Sequence, residues 1–168
     1  MAIQEVRLET FDPELHSQRL RDWLRRPHVA RWWGDPQQEL ENSLRRSRET
    51  HAIIAADGAY VGYICWQRPP QDELEAAGLT DFPEDLVDID IMIGEPEFLG
   101  HGVGPRALAL VLAKLRDEAV GSAGLGTSIS NRAAIRASEK AGVRLFREFE
   151  DPVCGPCRYM VAELRGAV

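Results

Sequence analysis

Polar and apolar residues alternate over residues 3–11, IQEVRLETF, as they do in a strand with one buried face. The period then changes. DPELHSQRLRDWLRR opens on Asp12, a helix-capping residue, and puts Pro13 at the first helical position, where a missing N–H does no harm. Leu20, Trp23 and Leu24 fall on one face of that helix. A second helix is predicted over PQQELENSLRRSRE, residues 36–49, with Leu40 and Leu44 one turn apart. Residues 51–67, HAIIAADGAYVGYICWQ, are two β-rich runs around Asp57-Gly58, a hairpin signal. The polar stretch 68–85 reads as a long loop, and LVDIDIMIG, residues 86–94, as the clearest strand. A helix is predicted from about Pro105 to Val120, and then a short strand near LGTSIS. NRAAIRASEKAG forms another helix, closed by Gly142 as a C-cap. Two strands, VRLFREFE and CRYMVAELR, flank the turn DPVCGP. Alternation of strand and helix in the second half predicts a mixed α/β sheet with parallel pairs there.

Composition narrows the classes. A chain of 168 residues with 44% hydrophobic and 28% charged residues is expected to be one domain with a proper core. Its net charge of −7 argues against a nucleic-acid partner and is compatible with a cationic one. No apolar run approaches the ~20 residues of a membrane span, and MAIQEVRLET carries no signal-peptide core. Three cysteines are too few for a disulfide framework, so the reducing cytoplasm is the expected compartment, with no membrane partner and no metal.

Chemistry enters at FLGHGVGPRALALVLAKL, where Gly100, Gly102 and Gly104 run straight into a helix pattern. The first N–H groups of a helix lack internal partners and carry the positive end of its dipole. Glycines ahead of them let the main chain turn tightly and approach an anion, most often a phosphate. Pro105 offers no N–H, so the donors would be the amides of residues 99–104: Leu99, Gly100, His101, Gly102, Val103 and Gly104. The other reading is a tight strand-to-helix turn. Neither the dinucleotide spacing nor the Lys-Ser/Thr of a P-loop is present.

The strand before this loop has its parity written out. Val87, Ile89, Ile91 and Ile93 share one face; Asp88, Asp90 and Met92 share the other. Its two carboxylates are either a functional pair or a solvated face. Trp32 and Trp33 either wall a cleft or join the core. Glu73, Glu75, Asp81, Glu84 and Asp85 either form a solvated charge run or draw in a polycation. Cys154 and Cys157, in CGPC, lie between two predicted strands rather than at a helix start, so they read as a structural turn and not a redox or zinc motif.

Strand DIDIMIG, loop LGHGVG, the amphipathic helix and SNRAAIRASEKAGV together resemble the acetyl-CoA-binding core of the GNAT superfamily of N-acetyltransferases. The family's glycine loop has the form Gln/Arg-x-x-Gly-x-Gly/Ala and holds the coenzyme A pyrophosphate. Its later motif is matched by Asn131, Ala134, Glu139, Lys140 and Gly142. DWLRRPHVARWWG, residues 22–34, is similar to a segment of the aminoglycoside 6'-N-acetyltransferases and their siderophore-acylating relatives.

The resemblance implies a GNAT fold: a central mixed, mostly antiparallel sheet of about seven strands with four helices, in one domain over residues 1–168. It implies acetyl-CoA as co-substrate, contacted by Ile91, Met92, Ile93, the loop 99–104, Asn131 and Ala134. The acceptor would be a primary amine of a small cationic molecule, aminoglycoside-like and of the antibiotic-resistance type, met by Trp32, Trp33, Glu84, Asp85, Asp88 and Asp90. The alternatives are acylation of a siderophore hydroxylysine or a protein N-terminus, and a catalytically silent acyl-CoA sensor. Asp90 matches the subgroup's strand aspartate, expected to orient the ammonium and accept its proton. A backbone N–H near Met92 would stabilise the oxyanion. Four departures stand out. Leu99 replaces Gln/Arg, and Val143 replaces the motif's final Phe. Ser138, the second catalytic candidate, stands where many relatives carry a tyrosine acid; either it donates a hydrogen bond or water protonates the leaving thiolate, with Tyr159 as a less favoured substitute. GTSIS lacks the second acidic residue that some aminoglycoside enzymes carry before the Ser-Asn pair. Asn131 serves either as a helix cap or as a contact to the coenzyme. A monomer or a homodimer fits equally.

Overall fold

In the computed structural model, which describes residues 1–166, seven strands and six helices follow one another. The last two positions of the expected domain lie outside that range. In chain order the elements are β1 (Val6–Thr10), α1 (Pro13–Arg25), α2 (Pro27–Trp33), α3 (Pro36–Leu44), β2 (His51–Ala56), β3 (Ala59–Gln67) and α4 (Gln71–Ala76). They continue with β4 (Leu86–Ile93), α5 (Val103–Asp117), β5 (Ser122–Ser128), α6 (Arg132–Lys140), β6 (Arg144–Asp151) and β7 (Gly155–Glu163). The strands form one sheet in the order β1-β2-β3-β4-β5-β7-β6. Pairing is antiparallel for β1–β2, β2–β3, β5–β7 and β6–β7, and parallel for β4–β5. The mixed, mostly antiparallel sheet of seven strands is therefore as expected.

The helix count differs from the expected four. Helix α2 is only seven residues long and begins on Pro27 directly after the extended Arg26, too short to show a period. Helix α4 buries none of its residues, so no apolar stripe marks it. The long helix α5 begins at Val103, two residues earlier than the proline signal placed it. The local signals elsewhere hold. Asp12 caps α1 by accepting from the Glu14 N–H, and Asp35 caps α3 from the Gln38 N–H. Asp57 and Gly58 both take positive φ, 48° and 82°, as a two-residue hairpin turn requires.

The chain divides into two compact units. The first comprises Met1–Cys65 and Ile91–Ala107. Its core joins Phe11, Leu20, Trp23, Leu24, Ile53, Tyr63 and Met92. The second comprises Trp66–Asp90 and the chain from Leu108 onward. There Leu86, Ile89, Leu108, Val111, Leu115, Leu125, Val143 and Met160 are buried.

Candidate functional site

The candidate residues are divided between the two units, and each half has its own geometry. In the first unit, β4 ends at Ile93 and a 3-10 turn, Pro96–Phe98, leads to the glycines. Gly100 and Gly102 have φ of +75° and +79°, and a Cβ at either would meet nothing within 4 Å. Glycine is needed there for backbone conformation, since the left-handed region costs an ordinary residue ~1–2 kcal/mol. Open space over both turns also leaves room for a ligand to reach the main chain. The donor set is smaller than expected, because the Leu99 N–H bonds the Pro96 carbonyl at 3.1 Å. Residues 100–104 remain as candidates. Val103 is 1% exposed, so only its main chain can serve. Met92 is buried in the core of this unit, while Ile91 and Ile93 are half-buried.

The tryptophans separate in role. Trp33 packs on the core, its ring 6.2 Å from Tyr63 at 64°. Trp32 is half-buried with the Arg31 guanidinium over its ring, 4.7 Å from the centroid. Sequence reasoning missed a polar group in the same unit: Trp23 Nε1 donates to Glu95 Oε1 at 2.8 Å, and Arg26 to Glu95 Oε2 at 2.7 Å. Burial pushes the Glu95 carboxyl up. The Arg26 and Trp23 hydrogen bonds, with the charges of Arg26 and Arg19, outweigh it and leave the group below its ordinary range.

In the second unit Asp90 is exposed on β4 and Asp88, two residues before it on the same face, is half-buried. The Tyr159 hydroxyl donates to Asp88 Oδ1 at 2.6 Å. This ring crosses β5 because β5 carries glycine there: a Cβ on Gly124 would lie 2.5 Å from Tyr159 Cε1. Glycines inside the strand SAGLGTS were the available signal for that crossing. Burial first, then the Asp88 charge and hydrogen bond and the Asp90 charge, raise the Tyr159 phenol far above its ordinary value. The hydroxyl proton of this tyrosine is directed at the Asp88 carboxylate.

Other expected residues have structural partners. Ser138 is 2% exposed, and its hydroxyl donates to the Ala134 carbonyl of its own helix at 2.9 Å. Asn131 caps α6, accepting from the Ala134 N–H at 3.2 Å, and Ala134 itself is half-buried. Asp85 accepts from the Gly121 N–H at 2.9 Å and pairs with Arg165. Glu84 is exposed, and Asp81 pairs with Arg147. The CGPC segment opens β7 as a tight hairpin. Asp151 accepts from the Val153 and Cys154 N–H groups, each at 2.8 Å. Burial and then Asp151 raise both thiols, Cys157 to about 11, the opposite of what a reactive pair needs. Among the described residues no His/Cys/Asp/Glu group could hold a metal ion, and no helix is long and apolar enough to cross a membrane.

Comparison with known proteins agrees with this geometry. Residues 12–151 match the acetyltransferase (GNAT) domain. Aminoglycoside N(6')-acetyltransferases type 1 of Klebsiella pneumoniae and Serratia marcescens are each 29% identical over 158 residues, covering 84% of this chain and 75% of theirs. Among solved structures, aminoglycoside acetyltransferase AAC(6')-Ib in complex with coenzyme A and kanamycin is 27% identical, with a TM-score of 0.73 over 95% of each chain. With a family match over most of its length, a seven-stranded mixed sheet, and left-handed glycines opening the helix after β4, the chain belongs to the GNAT family of N-acetyltransferases.

Proposed function

We propose that this chain, acting as one catalytic domain, transfers the acetyl group of acetyl-CoA to a primary amine of a small cationic acceptor, an aminoglycoside-like polyamine of the antibiotic-resistance type. The observation that carries the reading is Asp90: an exposed carboxylate on β4, ten residues before the left-handed Gly100, in a chain whose relatives are named for aminoglycoside acetylation. The open turns at Gly100 and Gly102 support main-chain contact with the coenzyme pyrophosphate, through amides of residues 100–104. The main chain of Ile91, Met92 and Ile93 is assigned to the pantetheine arm and the developing oxyanion. Acetyl-CoA would supply the activated acetyl thioester, with coenzyme A thiol as the leaving product. The acceptor reaches neutral pH mostly as an ammonium, so a proton must leave before attack. Asp90 attracts that ammonium, orients it and receives the proton directly or through water. Asp88, Glu84 and the exposed acidic residues of α4 add to the attraction, as does the net charge of −7. Ser138 has its hydroxyl committed to Ala134, so the leaving thiolate takes its proton from solvent. The reaction suits the cytoplasm, where acetyl-CoA and free thiols coexist, and all three cysteines are free.

A thiol-release assay over aminoglycosides, polyamines, lysine derivatives and peptides tests the proposal. The expected result is turnover of an aminoglycoside at a kcat/KM at least about tenfold above the other classes, a difference of about 1.4 kcal/mol in transition-state stabilisation. Turnover confined to hydroxylysine or peptide acceptors moves the assignment to those acylations. Coenzyme A binding with no thiol release from any amine overturns catalysis and leaves a sensor.

A further inference from the structure

The similarity over residues 22–34 has no role in the chemistry above, yet its side chains converge on one point of the first unit. His28 Nε2 hydrogen-bonds the Ile93 carbonyl oxygen at 2.9 Å. Arg26 donates to the Gly94 carbonyl oxygen at 2.6 Å and to the Glu95 carboxylate at 2.7 Å. Trp23 holds the other Glu95 oxygen at 2.8 Å, with Arg19 3.9 Å away. The Val61 carbonyl of β3 accepts the Gly94 and Glu95 N–H groups at 2.7 and 3.1 Å. Three consecutive residues at the end of β4 are thus gripped, all of them by their main chain and Glu95 by its side chain as well. Gly94 makes this possible: a Cβ there would lie 2.1 Å from Trp23 Cγ, so the indole rests on bare backbone.

The grip continues toward the glycines. The Phe98 N–H bonds the Glu95 carbonyl and the Leu99 N–H bonds the Pro96 carbonyl, both at 3.1 Å. A displacement at Glu95 therefore passes through one hydrogen-bonded turn to Gly100. Ligands held by backbone amides depend on that backbone being set in advance. We infer that Trp23, Arg26, His28 and Glu95 are positioning residues for coenzyme A, fixing residues 93–95 and through them the strand end and turns that take the coenzyme. The inference rests on the functional reading above. None of the four touches the reacting atoms. Glu95 is 17% exposed, and its charge is matched by guanidinium groups rather than offered to a ligand.

The test measures coenzyme A binding by calorimetry, and KM for acetyl-CoA and acceptor separately, in Arg26→Ala, Arg26→Lys, Glu95→Gln and Trp23→Phe. Arg26→Ala is expected to weaken coenzyme A binding and raise the acetyl-CoA KM by about tenfold, with the acceptor KM within about twofold. Arg26→Lys and Glu95→Gln, which keep part of the grip, should recover most of that loss. Trp23→Phe keeps a ring on Gly94 and removes one hydrogen bond; an acetyl-CoA KM about threefold higher is expected. It carries the test should Arg26→Ala not fold. The clamp is overturned if the folded variants bind coenzyme A as the wild type does, or if acceptor and acetyl-CoA KM rise together. A wild-type chain that binds no coenzyme A overturns the functional reading, and this inference with it.

Discussion

Each unit contains an aromatic side chain that donates to a carboxylate, and the two arrangements differ in what they do with the charge. In the first, Trp23 holds Glu95 while guanidinium groups neutralise it, and the carboxyl is left below its ordinary range. In the second, the phenol of Tyr159 holds Asp88, a donor with no charge of its own, two residues from exposed Asp90. The first arrangement turns a carboxylate into a fastener for main chain. The second orients a carboxylate through a neutral donor; under the proposed function it belongs to the side that meets the acceptor. Substitutions in the first should appear in stability and coenzyme binding; those in the second, in acceptor binding and turnover.

The largest effect on turnover tests the second unit. Asp90→Asn keeps the size of the side chain and removes its basicity and charge. A loss of kcat of about 100-fold is expected, the low end of general-base catalysis, with coenzyme A affinity unchanged by calorimetry. A loss below about tenfold would remove Asp90 from the mechanism and end the contrast between the units.

The largest effect on stability belongs to Trp23→Ala, in the first. It empties a fully buried site and takes a donor from Glu95. The expected cost is about 4 kcal/mol, seen in denaturant unfolding as a lower midpoint. A cost under about 1 kcal/mol would show that the clamp does not fasten anything.

How much of this was legible follows from the range of each interaction. Asp12, Pro13, Asp57-Gly58 and Gly142 act on their immediate neighbours, so their caps and turns could be read along the chain. The alternation in LVDIDIMIG placed Asp88 and Asp90 on one face. Its apolar parity did not persist, because Met92 on that same face is buried in the core while Ile91 and Ile93 are only half-buried. Trp23 was legible as a buried residue but not as a donor, since Glu95 lies 72 residues away. Tyr159 and Asp88 are 71 apart, and only the glycines of β5 hinted that a ring passes over that strand. Asp85 looked like part of an acidic surface; its partners are the backbone N–H of Gly121 and the Arg165 guanidinium.

Acid sharpens the comparison, because His16 and His51, both with a pKa lowered by burial, belong to the first unit. His51 is 4% exposed and lies 2.8 Å from the Tyr63 hydroxyl. Burial, then the charge of Arg46, lowers its pKa from 6.5 to about 4. The unfolded chain therefore binds this proton between pH 6.5 and about 4 while the folded chain does not. Stability from this group is complete above pH 6.5, and about 3 kcal/mol is lost as pH falls to about 4. His16, lowered by burial, adds in the same direction. Unfolding midpoints across this window should drop, and His51→Gln should flatten the slope. Amide exchange should show the first unit opening before the second; the reverse order would break the comparison.

The smallest expected effect tests the carboxylate's orientation itself. Tyr159→Phe keeps the ring over Gly124 and removes a hydrogen bond to a half-buried Asp88, at a cost of about 2 kcal/mol. With that hydrogen bond gone, the acceptor KM should rise about threefold while the acetyl-CoA KM stays fixed. Arg26→Ala is expected to give the opposite split, so the two variants measured together separate the roles of the units. A rise in the acetyl-CoA KM alone in Tyr159→Phe would mean that this phenol serves the coenzyme instead. Asp88 would then be a fastener like Glu95, and Asp90 would stand as the single carboxylate of β4 assigned to the amine.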